Sequence, residues 1–600
     1  MIILGLNENH NSTAAIIKDG EVIYCASEER ITRDKNDVGY PLQAINEGLK
    51  ETGLKKSDIN FVTFSFQTAG NPLELKIKRI TRFSISDYVR EMREHWKPIL
   101  IDKKPSTSFW KDILEDPKFN KPNTKDYYNF DFLKTAAEKD WPGIFNQERK
   151  KVVVKHLGID PSKISFIKHH EAHAHYAYYA APIDRNTPTA VITADGWGDG
   201  ANGSIYRAEN GKLKKIYETQ NCNLARIYRY ITLLLGMKPH EHEYKVMGLA
   251  PYAKDYLSAR AYAIFKKTLV VNGLDFKWDQ KPNDLYFHFQ KELEGIRFDG
   301  IAGGLQLWLE ELLTKWVSNI IQKLKVDSAV FSGGLSMNVK ANKAITEIPE
   351  LKNFFVCGSG GDESTAIGGA YALSNQYGLT PKPLRSMYLG YTITELEIES
   401  LLSQPEVQNT CHIKKNVSLG YVANLLAKNK IIARCSGPME FGARALGNRS
   451  ILANPAAPEN IPRVNQKIIY GDFWMPFTPS ILDTRAPDYL VNPKKLAAPI
   501  MTVGFDTTKL GKEHLKAALH PADLTARPQV LSRQYNPEYY DLIKEFETIT
   551  GIGALLNTSF NLHGEPIVRN TGDAWHTFTN SGLDALLLNN TLLIKKGMSV

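Results

Sequence analysis

Apolar positions come in short runs separated by polar, glycine-bounded turns over much of the chain. Ile2 to Leu4, Ala14 to Ile17 and Val22 to Tyr24 are three such runs, and the last two flank Lys18-Asp19-Gly20-Glu21. Asp-Gly between β-prone runs marks a tight hairpin, because both residues tolerate positive φ. The same theme returns at Thr189 to Ala194 and Ser204 to Tyr206, around the loop from Asp195 to Gly203. A strand, polar turn and strand occurring twice predict a duplicated α/β unit. Ile164 to Ile167 reads as a buried strand and Tyr176 to Ala181 as a helix. Gly303 to Lys323 has helical spacing, and Val330-Phe331 and Phe354 to Val356 are strands that run into glycine-rich turns. Ser364 to Tyr371 opens a helix of small residues, which lets backbone or a ligand approach closely.

The chain has 600 residues, more than one core supports, so two or more domains are expected. Pro381, Pro383 and other loop formers between Tyr377 and Gly390 set a boundary, giving units of about 1–385 and 390–600. Residues around 70–150 are rich in Lys, Trp and Pro with poor periodicity, and read as an insertion bordering a substrate site. The basic run Arg149-Lys150-Lys151 within it reads as solvated surface.

Composition narrows the function. Hydrophobic residues make up 43% and charged residues 23%, as in an ordinary globular protein. No apolar run approaches a membrane span, and the first residues lack the form of a signal peptide, so the expected location is cytoplasmic. The five cysteines are dispersed without a CxxC pair, which argues against a zinc ribbon or a disulfide framework. A net charge of +9 without aromatic-basic patterning gives no nucleic-acid footprint.

The densest chemistry is His169-His170-Glu171-Ala172-His173-Ala174-His175, four histidines in seven residues. On a helix, His169 and His173 share one face, the spacing two imidazoles need to hold one metal. Asp362 can complete a His-His-Asp set. Ser332-Gly333-Gly334 and Gly358 to Gly361 follow strands as phosphate cradles would, with exposed amides and a helix dipole facing an anion. Lys245 is a lone cation that can meet a phosphate or stay solvated. In the second unit, Arg444 and Arg449, then Arg527, then the polar run from Asn557 to Pro566 after the strand Ile552 to Leu556, together outline an anion-lined pocket.

These motifs in this order resemble the O-carbamoyltransferase family, which includes tobramycin, cephem and nodulation carbamoyltransferases. The resemblance runs through Leu4-Gly-Leu-Asn-Glu-Asn-His10, Ser27-Glu-Glu-Arg30, His169-His-Glu-Ala-His173, Asp195-Gly-Trp-Gly-Asp-Gly200, Lys245-Val-Met-Gly-Leu-Ala250, Ser332-Gly-Gly334, Gly361-Asp362, the segment from Gly442 to Ser450, and Asn557-Thr-Ser-Phe-Asn561 with Gly564-Glu-Pro566. It implies a duplicated actin-like ATPase fold followed by a YrdC-like twisted α/β domain. The second unit would convert carbamoyl phosphate and ATP, with magnesium, to carbamoyl adenylate. The first would transfer the carbamoyl group to a hydroxyl of a small natural product, such as an antibiotic or toxin precursor. By resemblance, His10 is the catalytic base and Asp195 a second catalytic group able to join the metal. His169, His173 and Asp362 hold iron, or else zinc or manganese. Lys245, Gly333, Gly334, Asn338 and Gly361 border the nucleotide of the first unit. Arg444, Arg449, Arg527, Asn557, Ser559 and Asn561 border the donor and ATP of the second. A homodimer is an arrangement open to such an enzyme.

Three departures stand out. Asn11 replaces an aspartate and Asn36 a histidine of the family pattern. Before Pro476 the pattern Lys-x-Arg-Glu-x-x-Arg becomes Ile469-Tyr470-Gly471-Asp472-Phe473-Trp474-Met475, so three cations become Ile469, Gly471 and Met475. Each charge-assisted contact to a small dianion is worth ~1.5–3 kcal/mol. The donor site is therefore rebuilt with other cations such as Lys467, takes a different acyl donor against an apolar Ile469/Trp474/Met475 surface, or is silent beside an intact nucleotide and metal site.

Overall fold

The computed structural model describes residues 1–68, 71–105, 107–121, 127–465 and 472–597. The substituted positions Ile469 and Gly471, and Lys467 with them, lie outside the described residues.

The first sheet contains β1 (Ile2–Asn7), β2 (Thr13–Lys18), β3 (Glu21–Ser27), β4 (Phe61–Phe64) and β5 (Ile164–Phe166), in the order β3-β2-β1-β4-β5. β1, β2 and β3 pair antiparallel, while β1, β4 and β5 run parallel. The second sheet contains β6 (Thr189–Gly198), β7 (Ala201–Glu209) and β8 (Lys212–Thr219). After a separate hairpin of β9 (Leu269–Asn272) and β10 (Asp275–Trp278), it is completed by β11 (Ser328–Ser332) and β12 (Asn353–Val356). Its order, β12-β11-β6-β7-β8, and its strand senses repeat those of the first sheet. The weak repeat of strand, turn and strand is thus a duplicated, actin-like α/β fold.

One helix decides how the halves of this duplication meet. Thr365–Gln376 packs its small residues against backbone on both sides. A Cβ on Gly5 of β1 would lie 1.9 Å from the Ala366 carbonyl oxygen, and one on Gly368 would lie 1.9 Å from that of Ala172. The small-residue run therefore admits neighbouring backbone, and it brings Asp362, just before the helix, to the helix His169–Ala180. That helix begins at His169, so it covers the whole histidine cluster.

The insertion is more ordered than its irregular pattern predicts. Tyr128, Phe130, Phe132, Trp141, Phe145, Val153 and Leu157 all join the core beneath β1 to β4. Its aromatic and aliphatic side chains come from several short helices and the long helix Trp141–Leu157, which is why no single period shows in the sequence.

After Gln376 no regular element occurs until Tyr388. The C-terminal half is built on an eight-stranded mixed sheet that includes Ile432–Cys435, Arg449–Ala453, Ala554–Ser559 and Thr478–Leu482. Phe441, Leu446, Ile500 and Met501 from this half enter the same core as Tyr176 and Ala366, so the halves share a hydrophobic seam. Among the described residues no helix is long and apolar enough to cross a membrane.

Gly368→Ala forces a methyl group into a backbone contact that has no slack. The expected result is a loss of ~1–3 kcal/mol in unfolding free energy, read from the denaturant midpoint.

Candidate functional site

The N-terminal site is assembled from three elements. The helix His169–Ala180 supplies His169 and His173, the end of β6 supplies Asp195, and the turn before Thr365–Gln376 supplies Asp362. One donor atom from each of the four lies within 4.8 Å of all the others. Both histidines are wholly buried. Their Nε2 atoms are 3.1 Å apart, and His173 Nε2 lies 3.2 Å from Asp195 Oδ2 and 3.8 Å from Asp362 Oδ1. His169 Nε2 is 3.7 and 3.6 Å from the same two oxygens. Two imidazole lone pairs and two carboxylates facing one buried point fit a divalent cation. Asp195, expected as a catalytic group able to join the metal, sits by position within the group that could hold a cation.

The surroundings orient these ligands. His173 Nδ1 lies 3.1 Å from Ser332 Oγ, an outer contact of the kind that fixes a ligand's ring. His169 stacks on Phe66 with ring centroids 4.1 Å apart, and its backbone N–H donates to Asp199 Oδ2 at 2.8 Å. Gly198 is required beside it, since a Cβ there would lie 2.1 Å from His169 Cδ2. Burial opposes the charge on His173, yet hydrogen bonds to Asp195 and Asp362 outweigh it and raise the imidazole to about 9. A proton held this firmly shows how strongly the site favours positive charge. The other two histidines of the run pack structurally. His170 Nδ1 bonds Thr193 Oγ1 at 2.7 Å, and His175 Nδ1 bonds the Glu171 carbonyl at 2.9 Å.

His10 lies in the β1–β2 turn, partly buried, where burial lowers its pKa and the Asp362 charge opposes the shift. His240 faces it with ring centroids 6.1 Å apart. His240 has φ +65°, and its buried Nε2 has no hydrogen-bond partner among the described residues. Sequence reading missed it, since one histidine in His240-Glu241-His242-Glu243 carries no spacing signal. Lys78, on an insertion helix, lies within the electrostatic reach of both rings, so the insertion does border this site. The departures at Asn11 and Asn36 have a backbone reason: their φ values are +60° and +56°, a region asparagine enters more readily than most residues.

The glycine-rich turns meet each other. Gly333 N–H donates to the Gly360 carbonyl at 2.9 Å, and Gly334 N–H donates to Asp195 Oδ2 at 2.9 Å. Gly333 has φ +98°, and a Cβ there would lie 2.2 Å from the Ala194 carbonyl oxygen. Gly361 begins the turn carrying Asp362. Asn338 caps the helix Val339–Thr346 and is bonded to Gln306 through both its amide atoms. Lys245 is neither solvated nor free: it pairs with Asp472 at 2.8 Å and is 7% exposed.

In the C-terminal half, Glu440 Oε1 accepts the N–H groups of Leu446, Asn448 and Arg449 at 2.8, 2.7 and 3.1 Å, shaping the loop that carries Arg444. Arg449 departs from the expected donor contact. Its fully buried guanidinium donates to the carbonyls of Ser436, Gly437, Tyr391 and Arg569, so it stitches the loop. Arg444 and Arg527 differ: among the described residues neither has a hydrogen bond or ion pair. Burial, then the Arg444 charge, pulls the Arg527 guanidinium well below its ordinary value. Two adjacent cations without a counter-ion make an anion site. Asn557 and Asn561 each have a buried Oδ1 without a partner, while Ser559 ends its strand opposite Ser450.

Trp474 and Met475, two of the three residues of the apolar surface offered for a larger acyl donor, both turn to the N-terminal half, and the third, Ile469, lies outside the described residues. Trp474 Nε1–H donates to the Lys245 carbonyl at 3.1 Å and packs on the N-terminal core, and Met475 Sδ abuts Gly248. Both side chains dock on the helix Glu243–Leu249. Tyr244 of that helix lies in the field of Arg444 and Arg527, while His240, four residues earlier, faces His10. One short segment thus borders both sites.

The fold and the paired sites define a transferase of two joined halves. The chain belongs to the carbamoyltransferase family: the carbamoyltransferase N-terminus matches residues 2–371 and the carbamoyltransferase C-terminus residues 423–595. The protein sll1178 of Synechocystis sp. is 29% identical over 99% of this chain and 96% of its own length. MJ1058 of Methanocaldococcus jannaschii is 29% identical over 95% of each chain. Nodulation protein NolNO of Sinorhizobium fredii is 26% identical over 98% of this chain and 80% of its own.

His169→Ala and His173→Ala are each expected to reduce bound metal from about one per chain to near zero, measured by elemental mass spectrometry. Metal retained by both variants would remove these residues from the ligand set.

Proposed function

We propose that this chain is an ATP-dependent O-carbamoyltransferase that activates its donor in the C-terminal half and transfers the group in the N-terminal half. The observation that carries this reading is the unpaired Arg444 and Arg527, with Tyr244 of the other half beside them. In this reading the C-terminal half is a YrdC-like domain whose two arginines hold carbamoyl phosphate. Water cleaves carbamoyl phosphate there to carbamate and phosphate, and a carbamate oxygen attacks the α-phosphorus of magnesium ATP, expelling pyrophosphate and forming carbamoyl adenylate. It passes along the His240–Tyr244 segment to the N-terminal site, where Gly333, Gly334 and Gly361 border the nucleotide part.

There the acceptor hydroxyl attacks the carbamoyl carbon, His10 takes the hydroxyl proton, and AMP leaves with the electrons of the broken C–O bond. A divalent metal held by His169, His173, Asp195 and Asp362, iron being the leading fit, would supply Lewis acidity at the carbonyl. His10 suits the role of base because burial keeps its imidazole neutral below the usual histidine range. The acceptor is a small hydroxylated molecule met between His10, His240 and the insertion. The docking of Trp474 and Met475 on the helix Glu243–Leu249 favours carbamoyl over a bulkier acyl group.

Incubating the protein with ATP and carbamoyl phosphate should yield carbamoyl adenylate by mass spectrometry. Arg444→Met or Arg527→Met should abolish it, whereas His10→Gln should leave it intact. Absence of adenylate with wild-type protein would refute the donor assignment. For the transfer step, the neutral base predominates above a lowered pKa. Activity should therefore persist as pH falls through 6.5 and fail only below it, and an acid limb above 6.5 in the pH–rate profile would exclude His10 as base.

A further inference from the structure

Arg149 belongs to a basic run on the insertion helix Trp141–Leu157, yet it is 1% exposed. Its guanidinium lies over the paired rings of Phe64 and Phe166, 4.3 and 4.6 Å from their centroids. Nε donates to Glu8 Oε2 at 2.6 Å and Nη2 contacts the same oxygen at 2.5 Å. Nη1 donates to the Phe66 carbonyl at 3.0 Å and to Asn146 Oδ1 at 2.8 Å. All three nitrogens are engaged, and each bond leads toward the transfer site.

The first path runs to His10. Glu8 is 2% exposed and stands two residues before His10 in the turn after β1. Its second oxygen accepts the hydroxyl of Tyr128, also from the insertion. Its carbonyl accepts Gly39 N–H at 2.7 Å. The second path runs to His169. Phe66, whose carbonyl Arg149 holds, is the ring on which His169 stacks. Asn146 donates onward to the Gln67 carbonyl at 2.8 Å. The Gln67 and Thr68 N–H groups both reach Asp199 at 2.9 Å, and Asp199 also accepts His169 N–H.

We infer that Arg149 is a positioning residue that sets His10 and His169 in register with each other, making the insertion part of the transfer machinery as well as a wall of the acceptor site. A planar fork can hold the Glu8 carboxylate with one edge and the Phe66 carbonyl with the other. A lysine in that place is a single point charge and keeps one path at most. The inference rests on the proposed function only in what it calls the transfer site.

The test uses the full chain with Arg149→Lys and with the double variant Glu8→Gln/Arg149→Met, which removes the buried charges together and so protects the fold. Three readouts are compared: the His10 resonance in protein carrying 13C-labelled histidine, assigned with His10→Gln; affinity for Mn(II) by calorimetry; and carbamoyl adenylate formation from ATP and carbamoyl phosphate. The expected result is a shifted or broadened His10 resonance and Mn(II) binding weakened ~10–100-fold, as outer-contact losses at metal sites produce, with adenylate formation within about twofold of wild type. An unmoved His10 resonance and unchanged Mn(II) affinity in both variants would overturn the inference. So would a parallel fall of all three readouts together with the melting temperature, which marks a purely structural residue. If wild-type protein formed no adenylate, the proposed function would fail while the resonance and Mn(II) binding still judged Arg149.

Discussion

Four ionisable side chains converge on one point, two of them wholly buried, and much of the N-terminal half serves that arrangement. Two carboxylates and two imidazoles can face each other in a buried place only if positive charge sits among them. The raised His173 records that demand. Convergence in turn needs backbones to approach more closely than side chains normally allow. Gly5, Gly198 and Gly368 supply that approach, each at a position where a Cβ would overlap a carbonyl or the His169 ring. The duplicated fold provides the positions, since Asp195 stands in β6 and His10 just beyond β1, the equivalent first strands of the two sheets.

The C-terminal half presents the opposite case. Arg444, on a loop fixed by Glu440 and Arg449, lies within the electrostatic reach of Arg527, and among the described residues neither has a counter-ion. Their repulsion is tolerated because that loop has no freedom to relax: Glu440 and Arg449 are themselves buried and bonded to main chain. Buried charges whose bonds all go to backbone fix shape, whereas charges with no partner await a ligand. The same criterion separates Arg444 from Arg449.

That criterion also explains what the sequence could reveal. Strand positions, the duplication and the meeting of His169 with His173 were legible because each follows a local period: alternating apolar runs, Asp-Gly turns, and histidines four apart. The pairing of Lys245 with Asp472 and of Arg149 with Glu8 was not legible, since partners more than a hundred residues apart leave no local trace. Arg149 in particular reads as surface beside two lysines, and only the aromatic rings that close over it from three elements show otherwise. The asparagines at 11 and 36 read as departures from the family pattern, and their backbone is left-handed, where asparagine is well suited.

The departure before Pro476 can be weighed by the same electrostatics. Asp472 stands where the family pattern has glutamate, and it is the partner of the buried Lys245. An acid is kept there because a lysine sunk at the seam between the halves needs a counter-charge. Met475 stands where the pattern has arginine, and its sulfur lies against Gly248 on the same helix that Trp474 caps through the Lys245 carbonyl. The segment has therefore exchanged cation presentation for contact with the N-terminal half, retaining the one charge whose partner lies across the seam. Attraction for an anionic donor then concentrates on Arg444 and Arg527, whose charges gain most from a dianion because no partner satisfies them among the described residues.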